Sequence, residues 1–209
     1  MAVDEHEASA GWDTPHVSEI PRWRADLKHM SADQFLDWST DHAFGRHELV
    51  GGEVIQMAPE RAEHVVYNGN TYRALLTAVG KTSYDLRVFT DGLSVVTGEG
   101  SVREPDVVVN EGPLVRGRLT ATKPAILVEV SSPSSIRMNE VHKLAEYARV
   151  PSIQHYIVVH PDDRSVVWYE RSEEATTFRA SFVSAGTLAL DPYGIEVTIE
   201  DIFDDSAFI

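Results

Sequence analysis

Apolar positions along this chain change period several times, and each change marks an element. Ser31-Ala32-Asp33-Gln34 has the serine and glutamine spacing of a capping box, which predicts a short helix through about Trp38. Glu48-Leu49-Val50 and Glu53-Val54-Ile55 flank Gly51-Gly52, so a hairpin is predicted over Arg46 to Met57, with the glycines supplying a tight turn. From about Arg61 to Val79 the spacing becomes helical through Val65, Tyr72, Leu75, Leu76 and Val79, with Gly80 where a helix end favours glycine. Strands follow at about 83–89 and 93–97, with Asp91-Gly92 as the turn between them. A further helix is predicted from about Met138 to Arg149, ended by Pro151, because a proline disfavours helical backbone in the residue before it. The rest is strand-like: Gln154–His160, a Pro161-Asp162-Asp163 turn, Ser165–Glu170, Thr177–Ser184 and Ile195–Ile199. This order predicts an α/β or α+β domain with a central mixed sheet flanked by helices, an added N-terminal hairpin and a β-rich C-terminal part.

Two further strands break the pattern in an informative way. One is Glu104-Pro105-Asp106-Val107-Val108-Val109, the other Ala125-Ile126-Leu127-Val128-Glu129-Val130, closed by Ser131-Ser132-Pro133-Ser134-Ser135. Runs this apolar and β-branched read as buried strands. A carboxylate in such a run loses its hydration, which costs several kcal/mol unless a cation or donors compensate. Two of them on neighbouring strands can share one partner, and a divalent metal suits paired carboxylates.

Composition narrows the context. The 209 residues suffice for one domain with a substantial core, expected over 26–209, while residues 1–25 read as an acidic, solvated, disordered arm. That arm lacks the basic flank and apolar core of a signal peptide, and no apolar run approaches the roughly 20 residues that span a bilayer. With no cysteine, disulfides and thiolate metal sites are excluded, which suits a reducing cytoplasm. The net charge of −15 repels phosphate at long range and argues against tight non-specific DNA binding, although a local cation or bound metal can reverse the sign nearby.

Metal-assisted phosphodiester hydrolysis needs hard oxygen ligands on rigid strands and a cation to orient water or neutralise developing charge. Asp106 and Glu129 supply the carboxylates, the carbonyl of Val130 is a candidate third ligand, and Lys143 on the following helix is the nearest lysine in sequence able to reach back. Glu146 and Tyr147 are its i+3 and i+4 neighbours. The Pro105-Asp106 pair, the Val128-Glu129-Val130-Ser131-Ser132-Pro133-Ser134 run and Lys143 resemble the Uma-two family of restriction endonucleases, within the PD-(D/E)XK nuclease superfamily. Glu48-Leu49-Val50-Gly51-Gly52-Glu53, Met57-Ala58-Pro59 and His64 are similar to that family's opening segment. Tyr156-Ile157-Val158-Val159 with Pro161, and the Ile195 to Phe203 stretch, are similar to its end, so the resemblance covers roughly 30 to 205. It implies a restriction-endonuclease-like core that cuts DNA with Mg²⁺ or Mn²⁺. Asp106 and Glu129 match its metal-binding acids, Lys143 matches a lysine moved to the next helix, and Glu53 stands near the site. Ser131 replaces the usual lysine two positions after the glutamate. Asn139 and His142 stand where acidic residues are common, which bears on how the lysine is tuned.

Plainer roles compete with these. Asp106 could cap a turn or pair with Arg103, Lys143 could be a solvated helix lysine, and His64, with Asn68 one turn on, reads as a hydrogen-bonded structural histidine or, as an accessory residue at the edge of the site, as a partner of the substrate phosphate or the metal's water. Glu48 and Glu53 read as exposed hairpin carboxylates, Ser132 to Ser135 as a strand-to-helix loop with an N-cap serine, and Trp168 and Tyr169 as core or dimer surface, with nucleic-acid stacking the weaker alternative. No Gly-x-Ser-x-Gly elbow or glycine-rich phosphate loop is present. Two other functions stay open: a homodimeric scaffold that keeps a nuclease fold without cutting, and a metal-free carboxylate-pair hydrolase of glycosidase type. The second lacks clustered aromatics near Asp106 or Glu129. Strand edges in the C-terminal half could be covered by pairing in a homodimer.

Overall fold

The capping box closes reciprocally, Ser31 N–H donating to Gln34 Oε1 at 2.9 Å and Gln34 N–H to Ser31 Oγ at 3.2 Å, and starts α1 (Ala32–Asp41). The structure, a computed structural model, describes residues 29–41, 45–91, 93–131, 137–173 and 177–208, the side chains of 137–139 excepted. The predicted N-terminal arm and the Ser132 to Ser135 loop lie outside those residues. β1 (His47–Val50) and β2 (Glu53–Gln56) form the expected hairpin. Gly51 and Gly52 turn it at φ 58° and 86°, a left-handed backbone that a side chain disfavours. β5 (Ser101–Arg103) adds to β1 and β4 (Val95–Gly98) to β5, giving a four-stranded sheet ordered β2-β1-β5-β4. On it α1 packs Ala32 and Phe35 against Leu49 and Val102.

The larger sheet has six strands, ordered β10-β9-β8-β7-β6-β3. These are β3 (Leu86–Thr90), β6 (Val107–Glu111), β7 (Pro124–Val130), β8 (His155–His160), β9 (Ser165–Arg171) and β10 (Phe178–Val183). All pairs are antiparallel except β7 with β8, whose parallel pairing requires a crossover, and α3 (Arg137–Tyr147) lies in that connection. This mixed sheet flanked by helices is the predicted architecture. One face is covered by α2 (Ala62–Val79), the hairpin β11 (Thr187–Leu190) and β12 (Ile195–Thr198), and α4 (Ile199–Ile202). The other is covered by α3 through Leu144 and Tyr147, with Ile153 beside them. Burial on both faces explains why β7 reads as a continuous apolar run: Ile126, Val128 and Val130 enter the first core and Leu127 the second.

Some expectations change. β3 and β4 are not a hairpin about Asp91-Gly92: β3 pairs with β6 and β4 with β5, so this connection carries the chain from one sheet to the other. Asp91 does take a left-handed φ of 47°, and Gly92 lies outside the described residues. The turn chemistry was legible, but strand partners are set by distant contacts. Gly80 ends α2 with a right-handed φ of −62°, its N–H donating to Leu76, so its left-handed freedom is not used. β5 and β11 have no counterpart among the predicted strands, each being too short for its alternation to stand out.

His155 is a fully buried polar group with both ring nitrogens used. Trp168 Nε1–H donates to Nδ1 at 3.1 Å, which leaves Nε2–H to donate to the Asp191 carbonyl at 2.5 Å. Burial disfavours the imidazolium and holds its pKa below the ordinary 6.5, against the smaller pull of the Asp191 carbonyl. The unfolded chain therefore binds the proton more readily. The stability this group contributes is complete above about pH 6.5 and is lost as pH falls through the depressed folded pKa. His155→Gln, which cannot titrate, is expected to flatten the fall of Tm between neutral pH and about pH 5 relative to wild type. An unchanged slope would show that the imidazole is not held neutral.

Candidate active site

Glu129 is the one charged residue of β7 and faces α3. Lys143 Nζ donates to Glu129 Oε1 at 2.7 Å, and Tyr147 Oη–H donates to the same oxygen at 2.9 Å. The i, i+4 spacing of Lys143 and Tyr147 puts both on one face of the helix. Lys143 is itself buried and also lies 3.1 Å from Glu48 Oε1. Burial pushes the Glu129 carboxyl up to about 7, with Lys143 pulling down and the Asp106 and Glu48 charges pushing up. Burial works against the charge on Lys143, but Glu129 and Glu48 outweigh it and raise its pKa. Arg103 anchors the next layer: Nη1 donates to Glu48 Oε2 at 2.9 Å, while Nε and Nη2 form a two-pronged pair with Glu146, each at 2.8 Å. The helix carrying Lys143 is thereby tied to both sheets.

Asp106 sits immediately before β6, its N–H donating to the Val128 carbonyl at 3.0 Å. Its Oδ2 accepts the Val130 N–H at 2.7 Å and lies 3.2 Å from His64 Nε2, while Oδ1 stands 3.6 Å from Arg46 Nη2. Burial alone would raise its pKa, but His64, the Val130 amide and Arg46 together lower it. His64 is raised in turn: Asp106 and Glu60 outweigh the desolvation of the imidazolium. Its Nδ1 is 3.2 Å from Glu60 Oε2 without hydrogen-bond geometry, and that atom is buried with no other partner. Arg46 also pairs with Glu60, Asp91 and Glu104.

Both halves open into one pocket of about 260 Å³. Glu48, Asp106, Glu129 and Lys143 line its floor, and residues 55–59 form part of its wall. Hydrogen bonds from described residues to Glu129 fall on Oε1 and those to Asp106 on Oδ2, leaving one oxygen of each carboxylate without a hydrogen-bond donor. Two such oxygens in one pocket are hard donors of the kind a divalent cation takes, although Asp106 Oδ1 already stands 3.6 Å from Arg46 Nη2. A second grouping with metal-ligand chemistry is Glu60, His64 and Asp106, whose ligand atoms lie within 4.8 Å of one another, although Arg46 already occupies part of their charge.

The family model Uma2, described as "Putative restriction endonuclease", matches residues 32–199. The chain belongs to this Uma2 family. It is similar to two uncharacterized proteins of Synechocystis. One, sll1609, is 28% identical over 138 residues, covering 65% of this chain and 77% of that protein. The other, slr1290, is 22% identical over 186 residues, covering 88% and 96%. Among solved structures it is similar to one titled as a putative nuclease of the DUF820 family from Anabaena variabilis, with a TM-score of 0.66, 15% identity, and coverage of 83% of this chain and 97% of that one. That likeness establishes a shared fold.

In this Uma2 chain, the sequence-derived candidates Asp106, Glu129, Val130, Lys143 and His64 all line the one pocket. Glu53 is exposed on the edge strand β2 and is not among the lining residues. Glu48, expected to be exposed, is instead 5% exposed and holds Arg103 and Lys143. β1 is internal to its sheet and covered on both faces, a fact that four residues of sequence do not reveal. The arginine beside Asp106 is Arg46; Arg103 serves Glu48 and Glu146. His142 is exposed, and the Asn139 side chain lies outside the described residues. Trp168 packs on the first core and donates to His155, and Tyr169 stacks on Tyr156 at 5.5 Å. Sequence reasoning did not single out Arg46 or Glu60; the only available signal was their nearness to the hairpin and to the start of α2. No described helix is long and apolar enough to cross a membrane.

Proposed function

We propose that this chain is a divalent-metal-dependent DNA endonuclease of PD-(D/E)XK type, in which Asp106, Glu129 and the Val130 carbonyl hold Mg²⁺ or Mn²⁺. The observation that carries this reading is the convergence of Asp106 and Glu129 on one pocket, with the Lys143 amine 2.7 Å from Glu129. The family description and the nuclease title of the structural relative support it. A divalent ion bound there would supply Lewis-acid polarisation of the phosphoryl group and a lowered pKa for water. The chain's own residues then have distinct tasks. Lys143, kept protonated by two carboxylates, orients the attacking water or stabilises charge building on the phosphorus oxygens. Tyr147 fixes the rotamer of Glu129 by donating to Oε1, and His64 with the Val130 amide fixes Asp106 through Oδ2.

The test is nicking of supercoiled plasmid by the purified full chain with Mg²⁺ or Mn²⁺ and with EDTA. Wild type is expected to nick only with metal, and Asp106→Ala to lose about 10²-fold or more of that rate. Equal rates in wild type and variant would assign the cutting to a contaminant and overturn the proposal. One observation favours the non-cutting scaffold: Asp106 is already neutralised by His64 and Arg46, and Glu129 by Lys143. That alternative predicts no heat of Mn²⁺ binding attributable to these two acids in calorimetry.

A further inference from the structure

We infer that the DNA strand enters this pocket single-stranded, as a nucleotide out of its duplex stack with its base against the 55–59 rim; this rests on the endonuclease reading above. Floor and rim differ in depth and in chemistry. The Asp106 side chain is 3% exposed and that of Glu129 13%, whereas Ile55 at the rim is 46% exposed. Met57, Ala58 and Pro59 continue the rim as an apolar ledge. A phosphate that reaches the buried acids therefore lies deeper than this exposed ledge.

An intact duplex is poorly shaped to place a phosphate at that depth. It is a stiff convex rod whose phosphates are held between neighbours on both sides and whose base faces are hidden in the stack. The pocket, about 260 Å³, is near the lower end of sites that take one small molecule, roughly 300 Å³ upward, and so matches a unit of about one nucleotide. The ledge points the same way. Isoleucine, methionine and proline gain nothing from the charged outside of a duplex, whereas apolar side chains do hold the faces of bases that have left the stack. Base faces become available to such contacts only in a single strand, a mismatch or a flipped nucleotide.

The charge of the pocket also favours a single nucleotide. Duplex binding rests mainly on lysines and arginines that neutralise several phosphates. Among the described residues lining the pocket the cationic side chains are Lys143 and His64, and each is engaged by two carboxylates. The chain as a whole carries −15. Contact with one unstacked nucleotide, its phosphate on the floor and its base on the ledge, engages fewer phosphates than a duplex face and so calls on fewer cations.

The experiment measures Mn²⁺-dependent hydrolysis by the full chain on three labelled DNA substrates of one sequence: single strand, intact duplex, and duplex with a central unpaired bulge. Bis(4-nitrophenyl) phosphate serves alongside as a small phosphodiester that has no base. Single strand and bulge are expected to be cut roughly tenfold faster than the intact duplex, or more. Ile55→Ser combined with Met57→Ser, both on the rim and not in the core, is expected to raise KM for the single strand more than it lowers kcat. Cutting of the intact duplex at a comparable rate, an unmoved KM in the double variant, or hydrolysis of the small diester with no DNA cut would each overturn the inference and leave a nuclease or phosphodiesterase. Failure to hydrolyse any of the four substrates with Mn²⁺ would overturn the endonuclease reading and this inference with it.

Discussion

Glu129→Gln is expected to abolish metal-dependent plasmid cleavage, with a loss of about 10²- to 10³-fold, while the protein remains folded. Two features of the site separate these outcomes. First, the substitution removes an anionic ligand but keeps the shape of the side chain, so Tyr147 can still donate to the retained carbonyl oxygen. Lys143 keeps Glu48 as its counter-charge, 3.1 Å away. Second, the Glu129 carboxyl is already pushed up to about 7 by burial, so its ionised form is held against a substantial desolvation cost. A neutral amide there relieves that cost, and Tm should stay close to wild type or rise. Mn²⁺ affinity measured by calorimetry should fall with the activity. Wild-type cleavage in Glu129→Gln would remove this residue from the chemistry, and a collapse of Tm would show that the Lys143 ion pair stabilises the fold more than its solvation costs.

Arg103→Met is expected to be the most destabilising single change near the site, costing about 3–5 kcal/mol. The guanidinium is 2% exposed and links two carboxylates, Glu48 on β1 and Glu146 on α3. Methionine fills much of the volume but, among the described residues, leaves Glu146 with only the Thr97 hydroxyl as a donor and Glu48 with Lys143 as its one cation, and that penalty exceeds the worth of the pair itself. For a chain of this size the corresponding fall in Tm is roughly 6–20 °C, followed by circular dichroism. Arg103→Lys keeps the charge but cannot form the two-pronged contact with Glu146, so an intermediate loss is expected. A Tm within about 2 °C of wild type for Arg103→Met would mean that solvent reaches these carboxylates and that the network is not structural. The network also positions the catalytic candidates. Glu48 receives both Arg103 and Lys143, so loosening Arg103 frees Glu48 to shift and alters the field around Lys143.

The site and its frame were legible in the sequence to different depths. The capping box of α1, the Gly51-Gly52 hairpin and α2 follow from local rules that act within a few residues: side chains that satisfy nearby backbone groups, φ angles that glycine favours, and apolar spacing at the helical period. Glu129 stood out for a related reason. A carboxylate inside a β-branched run is too costly to bury without a partner, so its presence announced one. Asp106 and Lys143 carried less weight singly, because an aspartate after proline or a lysine on a helix has ordinary roles, and gained it from standing beside Glu129 and from the family pattern.

Tertiary structure decided what no local rule reaches. Strand partners were assigned there, with β3 joining β6 and β4 joining β5 across the Asp91 connection. The hairpin acid that enters the site was decided there too, as Glu48 and not Glu53, because burial of β1 depends on β5 pairing along its edge and on α1 and α3 arriving on its faces. Arginine partners were settled in the same way: Arg46 meets Glu104, 58 residues on, and Arg103 meets Glu48, 55 residues back. Charge pairing is long in sequence and short in space, so it has no period for a pattern to detect. The sequence by itself determined which segments would be strand or helix and that Glu129 needed a partner; the fold chose the partners, since a buried ion pair is defined by what several elements exclude from water together.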